Sequence, residues 1–147
     1  MNISPVFRRK QPTAFEQALR ALARGHHAEA LERLDALLAD SEMTPASRAA
    51  ATNKRGVALI GLGRGTEARQ AFEAALEVVP RYAPAMVNIG NLHLEAGEIE
   101  IAVSQYEAAI RSDDRYGPAH HNLAVAYKRL GRTADSVREL RRAHRLS

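Results

Sequence analysis

The sequence predicts an all-α fold, an α-solenoid of about four antiparallel helical hairpins, and three observations carry that expectation. First, one motif recurs at a constant step of 34 residues: Gly56 is followed by Gly90, Gly63 by Gly97 and Gly131, Ala68 by Ala102 and Ser136, Phe72 by Tyr106 and Leu140, and Ala75 by Ala109 and Ala143. A fixed period of about 20–50 residues marks a supersecondary unit too small to bury its own apolar face and therefore stacked on copies of itself. Second, aromatics make up only 5% of the chain, tryptophan is absent and alanine is abundant, which suits closely packed helices better than a sheet. Third, the apolar residues between the glycines recur at three- and four-residue intervals, the spacing of a buried helical stripe.

Taken in order, residues 1–12 show no helical period, contain two prolines and carry the cluster Arg8, Arg9, Lys10, so they read as a flexible N-terminal arm. Ile3, Val6 and Phe7 make that arm apolar enough to dock, for instance on another copy. The repeat domain occupies residues 13–147, with units at about 13–40, 45–80, 83–114 and 117–147. The first unit places Phe15, Ala18, Leu19 and Leu22 on one helix face, turns at Gly25, and continues with Ala30, Leu34, Leu37 and Leu38. It aligns with the second unit at a displacement of 38 (Ala18 to Gly56, Gly25 to Gly63, Ala30 to Ala68), so four residues are inserted, in a loop supplied by Asp40, Ser41, Thr44 and Pro45. Thr44 reads as an N-cap with Pro45 in the first helical position. Thr66 and Thr133 read as N-caps after the turns at Gly61-Leu62-Gly63-Arg64-Gly65 and Leu130-Gly131-Arg132, and the third unit turns at Ala96-Gly97-Glu98. Short turns make the two helices of each unit antiparallel. Small residues at Gly56, Gly90 and Ala124, with Ala68, Ala102 and Ser136, bring them close together. Larger residues at Leu59, His93 and Tyr127, and at Phe72, Tyr106 and Leu140, fill the space between units.

The net charge of +4 is unevenly distributed. Residues 83–116 hold six acidic and two basic side chains, whereas residues 117–147 hold seven basic and two acidic ones. That asymmetry fits an end-to-end contact between copies or an acidic partner, beside the simpler reading of charges on solvated helix faces. With no cysteine there is no disulfide framework and no thiolate metal site. No apolar run approaches the ~18 residues of a membrane span, and no signal-peptide core precedes the repeats, so the expected setting is soluble and cytoplasmic.

Catalytic and cofactor chemistry find no support in the pattern. The pairs His26-His27 and His120-His121 are adjacent on helices, where side chains diverge by about 100° and do not share one metal ion. No His-Asp-Ser or Cys-His constellation can be placed, and the glycines at 61, 63 and 65 lack the strand and lysine of a phosphate loop. The chain is expected to be no enzyme, with no cofactor and no metal.

The period and its columns of glycine, alanine and aromatic positions resemble the tetratricopeptide repeat family over about residues 13–147. Departures are the degenerate first unit, Asp114 where Pro80 stands one unit earlier, and a fourth unit with no separate solvating helix after it. The resemblance implies a right-handed superhelix whose inner helices line a concave groove that takes a peptide or protein segment. Aligning those helices puts Glu16, Lys54, Asn88 and Asn122 in one column, with Asn53, Val57, Val87, Asn91, Leu94, His121, Val125 and Lys128 in neighbouring groove-facing columns. Asparagine is disfavoured inside helices by up to ~0.7 kcal/mol relative to alanine, so its recurrence at one register invites a reason. In some members of the family, inner-face asparagines bond the backbone of an extended peptide, and Asn88 and Asn122 resemble two rungs of that ladder. An amide donates and accepts at once and so matches peptide groups. The family's carboxylate-clamping mode is less expected, because the third unit has no inner-face lysine or arginine.

The expected partner is therefore a protein or peptide, with self-assembly through the terminal repeats as a companion expectation. The exposed side of the last helix, with Val137, Leu140 and Leu146, would drive concentration-dependent association. The alternative is binding of nucleic acid or another polyanion through the basic last repeat and the arm. It is weakened because no aromatics interleave with Lys128, Arg129, Arg132, Arg138, Arg141, Arg142 and Arg145, which spread around two helices.

Overall fold

A computed structural model describes residues 11–147 as eight helices, with no strand among the described residues. The helices are α1 (Ala14–Ala23), α2 (His27–Leu38), α3 (Pro45–Gly61), α4 (Gly65–Val78), α5 (Ala83–Glu95), α6 (Ile99–Ser112), α7 (Gly117–Arg129) and α8 (Thr133–Leu146). The arm expected at residues 1–12 lies outside the described residues as far as Lys10. None of these helices is long and apolar enough to cross a membrane.

Local chemistry fixes the element ends. Thr13 caps α1 in a reciprocal capping box with Glu16, and Thr44 caps α3 by accepting from the Ser47 amide at 3.2 Å, with Pro45 following. The hairpin turns are set by Gly25, Gly63, Gly97 and Gly131, whose φ values of 75°, 73°, 80° and 74° are the left-handed backbone that side chains with a Cβ resist. The expected caps at Thr66 and Thr133 are corrected: α4 and α8 begin at Gly65 and Thr133, and their N-cap residues are Arg64 and Arg132. After the left-handed glycine only one residue separates the helices, so no side-chain oxygen reaches the first turn. Instead Arg64 pairs with Glu67 and Arg132 with Asp135, each carboxylate lying in the first turn of the helix, where the dipole favours it.

Each helix packs on its neighbours in sequence, and the odd helices also meet one another, α1 with α3, α3 with α5 and α5 with α7. No even-numbered helix touches another even-numbered one. The layer therefore curves, with the odd helices on the inner side. Small residues permit the close packing: a Cβ on Gly56 would lie 2.3 Å from Phe72 Cε1, and one on Gly90 would lie 2.6 Å from Tyr106 Cε1. Phe72 and Tyr106, both almost fully buried, stand over these glycines and join each hairpin to the next inner helix. His93 is largely buried, with its side chain 18% exposed, and its ring also contacts the Glu98 carboxylate.

The stacking rule is visible in one column. Ala51, Ala85 and Ala119 are all 0% exposed and dock each inner helix onto the preceding hairpin. Ile89 and Leu123 sit one turn further along the same face of α5 and α7, followed by Leu92 and Ala126. At the 38-residue displacement, α1 carries Thr13, Gln17 and Arg20 in these places. Gln17 is tied down by Arg33 Nη1 at 2.7 Å and donates to the Pro12 carbonyl at 3.2 Å. The N-terminal face of the array thus carries Thr13, Gln17 and Arg20, beside a hollow lined by Ala14, Arg33, Ala36 and Leu37.

Candidate functional site

The inner face is built from side chains one helical turn apart. Lys54 and Val57 on α3, Asn88 and Asn91 on α5, and Asn122 and Val125 on α7 are half-buried along this face. The asparagines bond across helices: Asn88 Nδ2 donates to Asn53 Oδ1 at 2.8 Å, and Asn122 Nδ2 donates to Asn91 Oδ1 at 2.8 Å. Asn91 Oδ1 also accepts from Tyr106 Oη at 2.7 Å. Burial of this tyrosine, with a smaller contribution from Glu95 and an opposing one from Arg129, pushes the phenol up to about 12, which keeps it a neutral donor. Each of the Asn88 and Asn122 amides therefore has its nitrogen engaged with the preceding inner helix, while its oxygen makes no hydrogen bond among the described residues. The pair presents two oriented acceptors.

Three residues expected to line the groove lie elsewhere. Asn53, Val87 and Leu94 are 2%, 3% and 8% exposed, so they are corrected from groove-lining to interior positions. Val87 and Leu94 belong to the core shared by α5, α6 and α7, covered by the following repeat. Asn53 stands in the column of Val87 and His121 and survives burial because Asn88 satisfies its oxygen. His121 and Lys128 occupy these columns in α7 but are exposed, because no further repeat covers them among the described residues.

The residues missed are Ile60, Leu92 and Glu95. With Val57, Asn88 and Asn91 they line a cleft of about 110 Å³ between α3 and α5, floored by Phe72. The run 88, 91, 92, 95 follows the three- and four-residue spacing of one helix face, and that signal was available from the asparagines alone. The cleft combines apolar walls, an acceptor oxygen and one carboxylate at its rim. Among the described residues no group of three or more His, Cys, Asp or Glu side chains is placed to hold a metal.

The basic residues of the last hairpin are largely engaged within it. Arg132 and Arg138 pair with Asp135, Arg142 Nη1 lies 3.0 Å from Glu139 Oε1, and Arg129 Nη1 donates to the Leu94 carbonyl at 3.1 Å, capping the end of α5. His120 and Glu139 form a buried pair, with Nδ1 2.7 Å from Oε2 and the other ring nitrogen 2.8 Å from the Asp114 carbonyl.

Comparison with known proteins agrees with this architecture. Among curated proteins, the chain is 34% identical over 104 residues to the probable UDP-N-acetylglucosamine–peptide N-acetylglucosaminyltransferase SPINDLY of Arabidopsis thaliana, a match that covers 70% of this chain and 11% of that protein. Its Solanum lycopersicum counterpart is 33% identical over 71 residues, covering 48% of this chain and 8% of that one. The chain thus spans about a tenth of the length of these relatives. Among solved structures, MamA superposes with a TM-score of 0.67 at 21% identity, covering 90% of this chain and 75% of that one. YrrB, described as a TPR protein with an unusual peptide-binding site, gives 0.62 at 17% identity, covering 91% and 67%. The second TPR of Spaghetti (RPAP3), bound to the HSP90 peptide SRMEEVD, gives 0.61 at 19% identity, covering 67% and 92%. The tetratricopeptide repeat pattern matches residues 15–84 and 87–147. With the period, the left-handed turn glycines and the stacked hairpins, that match places the chain in the tetratricopeptide repeat family.

Proposed function

We propose that the chain is a non-catalytic interaction scaffold whose inner face binds a peptide or protein segment across α3, α5 and α7. The observation that carries this reading is the pair Asn88 and Asn122, each with its nitrogen held by a neighbouring asparagine and its oxygen left to accept a backbone N–H. The cleft beside Asn88, of about 110 Å³, takes a small apolar side chain of the same segment, and Glu95 at its rim favours a cationic or amide neighbour over an acidic one. Two structural relatives at low identity are described as peptide binders, which supports the class of ligand. Polyanion binding gains no comparable support, since Arg129, Arg132, Arg138 and Arg142 already have intramolecular partners.

Peptides selected from a random display library on the immobilised chain provide the test. Replacing both Asn88 and Asn122 with alanine is expected to weaken a selected peptide by about 1–3 kcal/mol, for two hydrogen-bonding side chains. Because Asn88 also satisfies the buried Asn53 oxygen, the variant is expected to lose about 1–3 kcal/mol of stability as well, so its affinity is measured well below its melting temperature. Undiminished affinity in the folded variant would refute the assignment.

A further inference from the structure

The face that α7 and α8 present beyond the last hairpin is the counterpart of surfaces that are covered everywhere else in the array. One repeat earlier, Val103, Tyr106 and Ala109 are 9%, 0% and 0% exposed beneath α7, whereas their equivalents Val137 and Leu140 are 42% and 43% exposed. Between the two helices lies a hollow of about 560 Å³ lined by Gly117, Pro118, His121, Asn122, Leu140 and Leu146 among others. It occupies the place that the next inner helix takes in the preceding repeats.

The charges around the hollow select its occupant. Arg141 stands where Glu107, which accepts from Tyr127 Oη of the following inner helix, stands one repeat earlier, Lys128 stands where Leu94 is covered by the following hairpin, and among the described residues neither has a hydrogen-bonding or ionic partner. No aspartate or glutamate lines the hollow. A second copy bringing its first helix would present Thr13, Gln17 and Arg20 instead of small and apolar docking residues, with Arg33 beside them. A second copy bringing the same face would oppose arginine to arginine. The segment 1–10 is itself basic, with Arg8, Arg9 and Lys10. We infer that this face binds an acidic amphipathic helix of a partner protein, docked as an additional inner helix through its apolar side, with its carboxylates on Arg141 and Lys128.

The array supplies the register of that helix. On α5 the docking residues are Ala85, Ile89 and Leu92, so the partner helix carries a small residue, a large apolar residue four positions later and another three after that. The small residue is needed because Ala51, Ala85 and Ala119 are all packed without exposure.

Two synthetic helical peptides test the inference on the 147-residue chain. Both carry the Ala85, Ile89 and Leu92 pattern; one has glutamate at the flanking positions and the other lysine. By fluorescence anisotropy, the glutamate peptide is expected to bind at least about tenfold more tightly than the lysine peptide, with a difference that shrinks as salt rises. Lys128→Ala with Arg141→Ala is expected to abolish the difference. Val137→Ser with Leu140→Ser is expected to weaken the glutamate peptide by about tenfold or more while leaving the melting temperature nearly unchanged, because both side chains are already largely exposed. Equal binding of the two peptides, or no binding by either, overturns the inference. So does a concentration-dependent dimer in light scattering that Val137→Ser with Leu140→Ser dissolves, since the face would then belong to a second copy. The substituted residues lie off the asparagine column, but Asn122 of that column also lines the hollow, so failure of the groove assignment is read separately, from Asn88→Ala on α5 with a library-selected peptide.

Discussion

Gly90 has no room for a methyl group. A Cβ there would sit 2.6 Å from Tyr106 Cε1 and 3.2 Å from Gln105 Cβ, and Tyr106 is fully buried with nowhere to move. Overpacking of this kind costs about 1–3 kcal/mol, partly offset by the ~1 kcal/mol helix preference of alanine over glycine. Gly90→Ala is therefore expected to lower the urea midpoint, and a midpoint at or above the parent value would count against the packing described. Tyr106 also makes stability depend on pH. Its folded value of about 12 lies above the ordinary 10.0, so the folded chain holds this proton more tightly than the unfolded chain. The resulting contribution is complete below pH ~10 and is lost as pH rises toward ~12. Denaturation at several alkaline pH values is expected to show the parent losing its advantage over Tyr106→Phe across that window. A constant difference would mean that the phenol is not protected by burial.

The last hairpin departs from its siblings in one buried pair. His120 and Glu139 are 3% and 4% exposed and stand where Met86 and Gln105 stand one repeat earlier. Two ionisable groups removed from water are costly, and deleting one partner strands the other. Glu139→Ala leaves the buried His120 ring nitrogen without its partner and is thus expected to cost about 1–3 kcal/mol, read from thermal or denaturant unfolding. Importing the neighbouring repeat's solution, His120→Met with Glu139→Gln, removes the need for pairing and is expected to restore most of that loss. If the double variant is as unstable as Glu139→Ala, the pair serves some purpose other than holding α7 to α8.

A stack of hairpins in which each touches only its neighbours has a graded stability. Among the described residues the second and third hairpins are covered on both sides, the first is covered only by the second, and the last leaves Val137 and Leu140 uncovered. Native-state hydrogen exchange is expected to show the slowest amides in α3 to α6 and faster exchange in α1, α2 and α8. Uniform protection along the chain would indicate a single cooperative unit. Binding at the open face of α7 and α8 is expected to slow exchange in α8 in particular, because it supplies the missing neighbour.

The 34-residue period, the left-handed glycines and the small residues opposite large ones determined the all-α architecture from the sequence alone, since each is a local or periodic property. The inner-helix asparagines were legible for the same reason: a residue unfavourable in a helix recurred at one register. What the sequence could not decide is which side of an inner helix meets the next hairpin and which meets the open face. Neighbouring columns differ by only about 100° of helix rotation. That is why Asn53, Val87 and Leu94 were expected in the groove and lie in the interior, while Leu92 and Glu95 line the cleft instead. The partners of the asparagines were likewise hidden, because Asn53 meets Asn88 and Asn91 meets Asn122 only after the hairpins stack at their tertiary spacing. The period determined that helices stack; the rotation of each helix within the stack was decided by packing between residues 31 to 35 positions apart, which no single repeat contains.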